Sequence, residues 1–391
     1  MPSAGTQGKL FYGWWVVIAC AIVHLYSAAT FFYGFGALFN PIVEEFAWSY
    51  ALVSFAVSLR GFESGAFAPI VGIFVDKLGP RKLVLCGIAV LGLGFVFLGN
   101  IKNLWGFYAV FVFMAFGFSL VSLVVTMTVV ARWFGHRSGL AMGVLTTGFG
   151  AGGLLLPAVV WVVDQLGWRP SVMMFGVGTW LVGVPLALVI KAPRSTPAST
   201  REETSIKPSE RPGGMTARQA LREKGFWLLS TALLFGGIAG TAVIVHQIPY
   251  MVSLGISRQT AGFMAMVFAI SSILGRLGFG WLGQVLDKRR CFAISASIKG
   301  LGVLAFALAT SVGQFIPALV ALGLGFGGLV PLRAILQVEL FGTRAFGAVQ
   351  GLLMVFVTVG SIVSPPFAGW MFDLSGSYRL AFVLLGFSTL I

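Results

Sequence analysis

Gly72-Ile-Phe-Val-Asp76-Lys-Leu-Gly79-Pro-Arg81-Lys82 is a short turn, rich in glycine and cations, between two apolar runs near 49–74 and 83–100. Its glycines let helices approach closely and the chain reverse tightly. Asp76 can accept from helix N-terminal amides and from basic groups on neighbouring loops, latching elements together. A second copy, Gly280-Trp-Leu-Gly-Gln284 with Arg289 following, lies at an offset of 208 (72 to 280). The echo continues outward. Phe134-Gly135 with Arg137 returns as Phe341-Gly342 with Arg344, Gly139 and Gly143 as Gly347 and Gly351, and Asp164, Gly167 and Arg169 as Asp373, Gly376 and Arg379. Self-similarity at half the chain length marks a parallel repeat with a pseudo-two-fold axis along a membrane normal.

The composition agrees that the solvent is lipid. Of 391 residues 58% are hydrophobic and only 10% charged, with a mean hydropathy of +0.94. Soluble domains carry about 25% charged residues, so an ordinary soluble enzyme is excluded. About 20 apolar residues cross a bilayer core. Runs of that kind lie near 12–36, 49–74, 83–100, 104–130, 138–163 and 168–190 (spans one to six), then 226–253, 259–284, 290–311, 314–338, 345–371 and 378–391 (spans seven to twelve). They are continuously apolar, unlike short alternating barrel strands. The expected fold is an all-α membrane protein of twelve transmembrane helices in two pseudo-symmetric six-helix bundles, 1–190 and 225–391. Between them, 191–224 is polar and rich in Pro, Ser and Thr, a cytoplasmic linker unable to bury a core, with Ala217 to Lys224 as a short amphipathic helix. The run from Phe11 to Leu38 is too long for a signal peptide and reads as a retained first span. The repeat places the end of span twelve near 400; the chain stops at Ile391, so its last helix is stunted or cut short, and the repeat favours a cut.

Charge sets the orientation. With the N-terminus inside, 18 of the 26 Lys and Arg fall in cytoplasmic loops and four, Lys102, Arg169, Arg258 and Arg379, in outer ones. Both termini are therefore expected in the cytoplasm, the chain lying in the plasma (inner) membrane against its lipid. The net charge of +14 is scattered through apolar sequence, so nucleic acid is not an expected partner. Cys20, Cys86 and Cys291 have no disulfide or metal spacing, and no cofactor is expected. The glycines at 148–153 and 323–328 lack a preceding strand and a following Gly-Lys-Ser/Thr, so they are not phosphate loops but packing and flexing points. The chain is expected to act as a monomer.

The turn at 72–82, together with the six-plus-six repeat, resembles the major facilitator superfamily over the whole chain. Within it, three features are similar to the branch holding monocarboxylate transporters and oxalate/formate antiporters. They are Phe11-Tyr-Gly-Trp-Trp15, Arg132-Trp-Phe-Gly-His-Arg-Ser-Gly-Leu-Ala-Met-Gly143, and Arg276 in span eight. The resemblance implies that Arg276 meets a substrate carboxylate. It also implies a gating loop of Gly72, Asp76, Gly79, Arg81 and Lys82, echoed by Gly280, Asp287 and Arg289. Three departures stand out. Gln284 occupies the second-copy Asp position, with Asp287 as stand-in; Ser272 stands where proton-coupled members have Asp; span eleven carries no lysine.

Four cations fall inside spans, Arg60, Arg276, Lys299 and Arg333, against one clear acid, Glu63, with Glu339 near the cytoplasmic end of span ten. Such charges mark a water-filled pathway or an anionic ligand, and a guanidinium offers paired donors to a carboxylate. Arg60 and Glu63, three apart, either form a self-neutralising pair or handle charge and protons together. The resemblance makes span nine peripheral, so the Lys299 stem is expected to snorkel toward headgroups, with binding as the alternative. Arg333 serves the pathway or pairs with Glu339 and the inner loops. His24 on span one is a binding or proton-handling candidate, and His246 reads as a gate or loop anchor. Ser122, in a stripe with Ser119 and Thr126, either binds substrate or joins helices; Tyr33 and Phe326 are expected to shape the pocket. The expected function is a secondary transporter of small organic anions, a monocarboxylate such as lactate, pyruvate or formate, by proton symport or anion exchange. A multidrug or sugar carrier on the same fold, or a transport-derived receptor, is the alternative. No clustered acid, base and nucleophile suggests an enzyme.

Overall fold

The computed structural model describes residues 11–61, 67, 71, 74, 78–134, 138–191, 215–342 and 344–390. Glu63, Gly72, Asp76 and most of the linker lie outside the described residues. All regular elements among the described residues are helical. In the first half, Tyr12–Ser27 (α1) and Phe35–Phe46 (α2) form span one around a π-helical turn, Ala28–Tyr33. Tyr50–Ser58 (α3) opens span two, and Pro80–Gly99 (α4) is span three. Leu104–Leu120 (α5) and Leu123–Phe134 (α6) make span four. Span five is Ser138–Ala151 (α7), a 3-10 turn Gly152–Leu155, and Leu156–Leu166 (α8); span six is Trp168–Val189 (α9).

After the short Ala217–Ala220 (α10), the second half runs Lys224–Ser253 (α11), Arg258–Val285 (α12), Lys288–Leu308 (α13), Val312–Phe341 (α14), Phe346–Ser375 (α15) and Arg379–Leu390 (α16). Ten helical stretches among the described residues are long and apolar enough to cross a membrane; α16, of 12 residues, is shorter. In lipid every backbone group must be satisfied within the protein, which is why these segments are helices. Their starts are written locally. Asn103 accepts from Gly106 N at 2.7 Å, Ser257 from Thr260 N at 3.2 Å and Asp287 from Arg290 N at 2.9 Å, each satisfying an amide the helix leaves free. Gly79, at φ +78°, turns the chain into Pro80 at the head of α4.

Two boundaries differ from expectation. Span one continues to Phe46 because its last turn, Val43-Glu44-Glu45, is amphipathic, and continuous apolarity ends before it does. There Glu45 meets Arg169 at 2.6 Å. The amphipathic helix before span seven shrinks to α10, fixed by a Thr216/Gln219 capping box, with Met215 N donating to Phe341 O at 2.8 Å.

The two halves touch along spans two and eleven, five and eight, and one and seven. Bonds between them run along the end away from the N-terminus. Asp373 accepts from Tyr50 N and Ala51 N at 2.8 and 2.9 Å. Arg258 pairs with Asp164 at 2.7 Å and donates to Ala37 O at 2.8 Å. His246 meets Ser54 Oγ at 3.2 Å, while its ring stands 5.0 Å from that of Phe39. The molecule is closed at that end.

Candidate functional site

Spans one, four and five are each interrupted near mid-length: by the π-helical turn 28–33, the break at Val121–Ser122, and the 3-10 turn 152–155. Spans seven, eight and ten run unbroken. Irregular backbone at membrane depth persists where it is buried in protein or lines a cavity, and π-turns gather at functional sites. The interruptions converge on one aromatic centre, Phe149, whose ring lies 5.1 Å from Phe32, 6.3 Å from Tyr33, 6.4 Å from His24 and 6.5 Å from Phe118.

Arg60 explains the π-turn. Its guanidinium Nη1 donates to Phe31 O at 2.8 Å and Phe32 O at 3.0 Å, and it lies over both rings, 5.6 and 5.2 Å from their centroids. Carbonyls released by the wider turn are thereby satisfied, and the turn that carries Tyr33 is held. Its proposed partner Glu63 is outside the described residues.

Arg276 reaches the same centre from the opposite half. It is half-buried on α12, its Nε has no hydrogen-bond partner, and no acid pairs with it among the described residues. Its neighbour is the Tyr33 phenol from span one. Gly150 on α7 makes room for it, since a β-carbon there would stand 2.6 Å from Nη1. Two predicted site residues, Arg276 and Tyr33, are thus brought together across the seam between halves; Gly150, which sequence reasoning placed only in a flexing run, completes them.

His24 is fully enclosed, with Nε2 2.8 Å from Thr126 Oγ1. That hydroxyl can donate onward to Ser122 O at 3.2 Å or Leu123 O at 3.3 Å. With that hydroxyl donating onward the ring can donate through Nε2; its Nδ1 has no partner. The polar stripe divides its work: Ser119 donates to Phe116 O at 2.7 Å, and Ser122 offers its carbonyl at the break in span four.

Phe326 and Arg333 stand elsewhere, in a cavity within the second half that also holds Lys299. Lys299 does not snorkel. It is 2% exposed and its amine donates to Gly236 O on α11. Its helix packs tightly on α14 at Gly325, where a β-carbon would stand 2.5 Å from the Lys299 backbone N. Arg333 does not pair with Glu339, which binds Lys288 at 3.1 Å and Arg289 at 3.8 Å instead. Asp287 caps its own helix rather than latching a neighbour. Gly280 packs against Pro331, Gln284 donates to Gly280 O at 3.3 Å, and Arg81 and Lys82 lie at the start of α4. His246 Nε2 donates to Pro365 O at 3.0 Å and lies beside Ser54 Oγ, while Nδ1 meets the Tyr378 hydroxyl at 3.2 Å, all in the closed end.

A family model described as Major Facilitator Superfamily matches residues 20–251 and 228–391. Monocarboxylate transporter 12 of Mus musculus is 25% identical over 96% of this chain and 83% of its own. Monocarboxylate transporter 11 of Homo sapiens is 28% identical over 96% and 80%. A bacterial homologue of the human lysosomal transporter Spinster, solved inward-facing and unoccupied, superimposes with a TM-score of 0.77 at 16% identity, covering 98% of this chain and 94% of that one. With the family model spanning both halves, this chain belongs to the major facilitator superfamily of transporters.

Proposed function

We propose that the protein is a secondary transporter of small organic anions, monocarboxylates such as lactate, pyruvate or formate, working by alternating access. The observation that carries this reading is Arg276: a guanidinium at the seam of the two halves, within a membrane-spanning helix, with no acid to neutralise it among the described residues. A carboxylate supplies the missing charge and matches the guanidinium donors in pairs. Neutral sugars or cationic drugs would leave that charge unmet. The names of the monocarboxylate relatives point the same way.

The bias of cations to the N-terminal side of the membrane supports a reading with both termini in the cytoplasm. The closed end then faces outward, and opening it requires Asp373, Arg258 and His246 to release their partners in the other half. His24, whose buried Nδ1 has no partner, is the proton acceptor for symport; exchange would leave it idle. Uptake of labelled lactate, formate, oxalate and glucose into proteoliposomes tests the substrate class, with and without an inward proton gradient. Monocarboxylate uptake exceeding that of glucose at least tenfold is expected. Equal glucose uptake would reject the anion reading.

A further inference from the structure

We propose that the second half contains a carboxylate site of its own, in which Lys299 and Arg333 receive a small organic anion apart from Arg276. The site is a cavity of about 360 Å3 among spans seven, nine, ten, eleven and twelve. Lys299 and Arg333 are its two cations; Ala232, Leu233, Ala296, Leu329 and Val330 give it walls suited to a short acyl chain. Lys299, 2% exposed, has two partners, the Gly236 carbonyl and the Phe326 ring at 5.5 Å. Gly236 lies well inside α11, so its carbonyl already serves the helix ladder and adds no negative charge. The Arg333 Nε has no partner, and Glu339, the acid nearest in sequence on the same helix, is held by Lys288 and Arg289.

Two cations thus share one largely apolar cavity with no acid for either among the described residues. Buried charge in such surroundings is retained where an opposite charge arrives to meet it. An anion with a short apolar tail satisfies both the cations and the walls. The Phe326 ring beside Lys299 stands 5.5 Å from that of Phe268, which lies two turns before Arg276 on α12. The inference rests on the protein handling carboxylates, as proposed above, but on different residues.

Calorimetric titration of the purified full chain with lactate tests it. Wild type should bind two lactates per chain, Arg276→Gln one, Lys299→Met/Arg333→Gln one, and the triple variant none. Arg333→Gln alone leaves the Lys299–Gly236 bond in place and should still weaken the second site at least tenfold, which separates lost binding from lost folding. One lactate per wild-type chain, abolished by Arg276→Gln and untouched by the Lys299 and Arg333 variants, overturns the second site and leaves Arg276 standing. A stoichiometry unaffected by Arg276→Gln but reduced by the Lys299 and Arg333 variants would instead remove the Arg276 reading.

Discussion

Gly150 on span five and Arg276 on span eight meet where the two halves join, so closely that a β-carbon at 150 would stand 2.6 Å from the guanidinium Nη1 and 3.4 Å from Cζ. The guanidinium is flexible and would move aside rather than unfold the seam. Gly150→Ala should therefore raise the KM for lactate about tenfold, within the ~1–3 kcal/mol that overpacking costs. Gly143→Ala, at a position with nothing within 4 Å, should leave KM unchanged. Uptake kinetics of the two variants check this.

Asp373 and Asp164 hold equivalent places in the repeat, and each crosses to the opposite half: one to the first amides of α3, the other to Arg258 at the head of α12. Asp373→Ala removes a carboxylate from a helix N-terminus, worth ~0.5–2 kcal/mol. The closed end should open more often. Ala37, 1% exposed behind Arg258, reports it as a cysteine: maleimide labelling from the closed side should rise severalfold in Asp373→Ala and in Asp164→Ala.

Arg60 satisfies the Phe31 and Phe32 carbonyls of the π-turn. Arg60→Met strands both, at ~1–3 kcal/mol for each buried group left unsatisfied. The melting temperature in detergent should fall by several degrees, and Arg60→Lys, which keeps one donor, should recover part of the loss.

His24→Gln keeps a donor for Thr126 but removes the bare ring nitrogen. A glutamine amide has no basic nitrogen to take up a proton. Lactate uptake should lose its acceleration by an inward proton gradient, while exchange at equal pH stays within about twofold of wild type. Retained gradient dependence would assign the proton to another group.

Continuous apolar runs and the half-chain repeat announced the helices, and the repeat matched Asp164 with Asp373 before any partner was visible. What each acid touches was not readable, because the partners, Arg258 and the amides of α3, are brought near only by the docking of the halves. Arg276 was found through its resemblance to a family pattern and its unpaired charge. Lys299 was misplaced for a physical reason: span nine looks lipid-facing from its rank in the triplet. Only the packing of the helices reveals that its amine reaches Gly236 O on span seven while its backbone lies against Gly325 of span ten. Arg333 looked like a partner for Glu339 by proximity along the helix, yet Lys288 and Arg289 arrive from span nine and take the acid.

Initial lactate uptake into proteoliposomes by Arg276→Gln, measured beside wild type and Arg276→Lys at equal reconstituted protein, puts the carboxylate anchor to the test. A charged hydrogen-bonded pair is worth ~1.5–3 kcal/mol. Uptake at subsaturating lactate should therefore fall about 10- to 100-fold in Arg276→Gln, with partial recovery in Arg276→Lys. Wild-type uptake by Arg276→Gln would contradict the account.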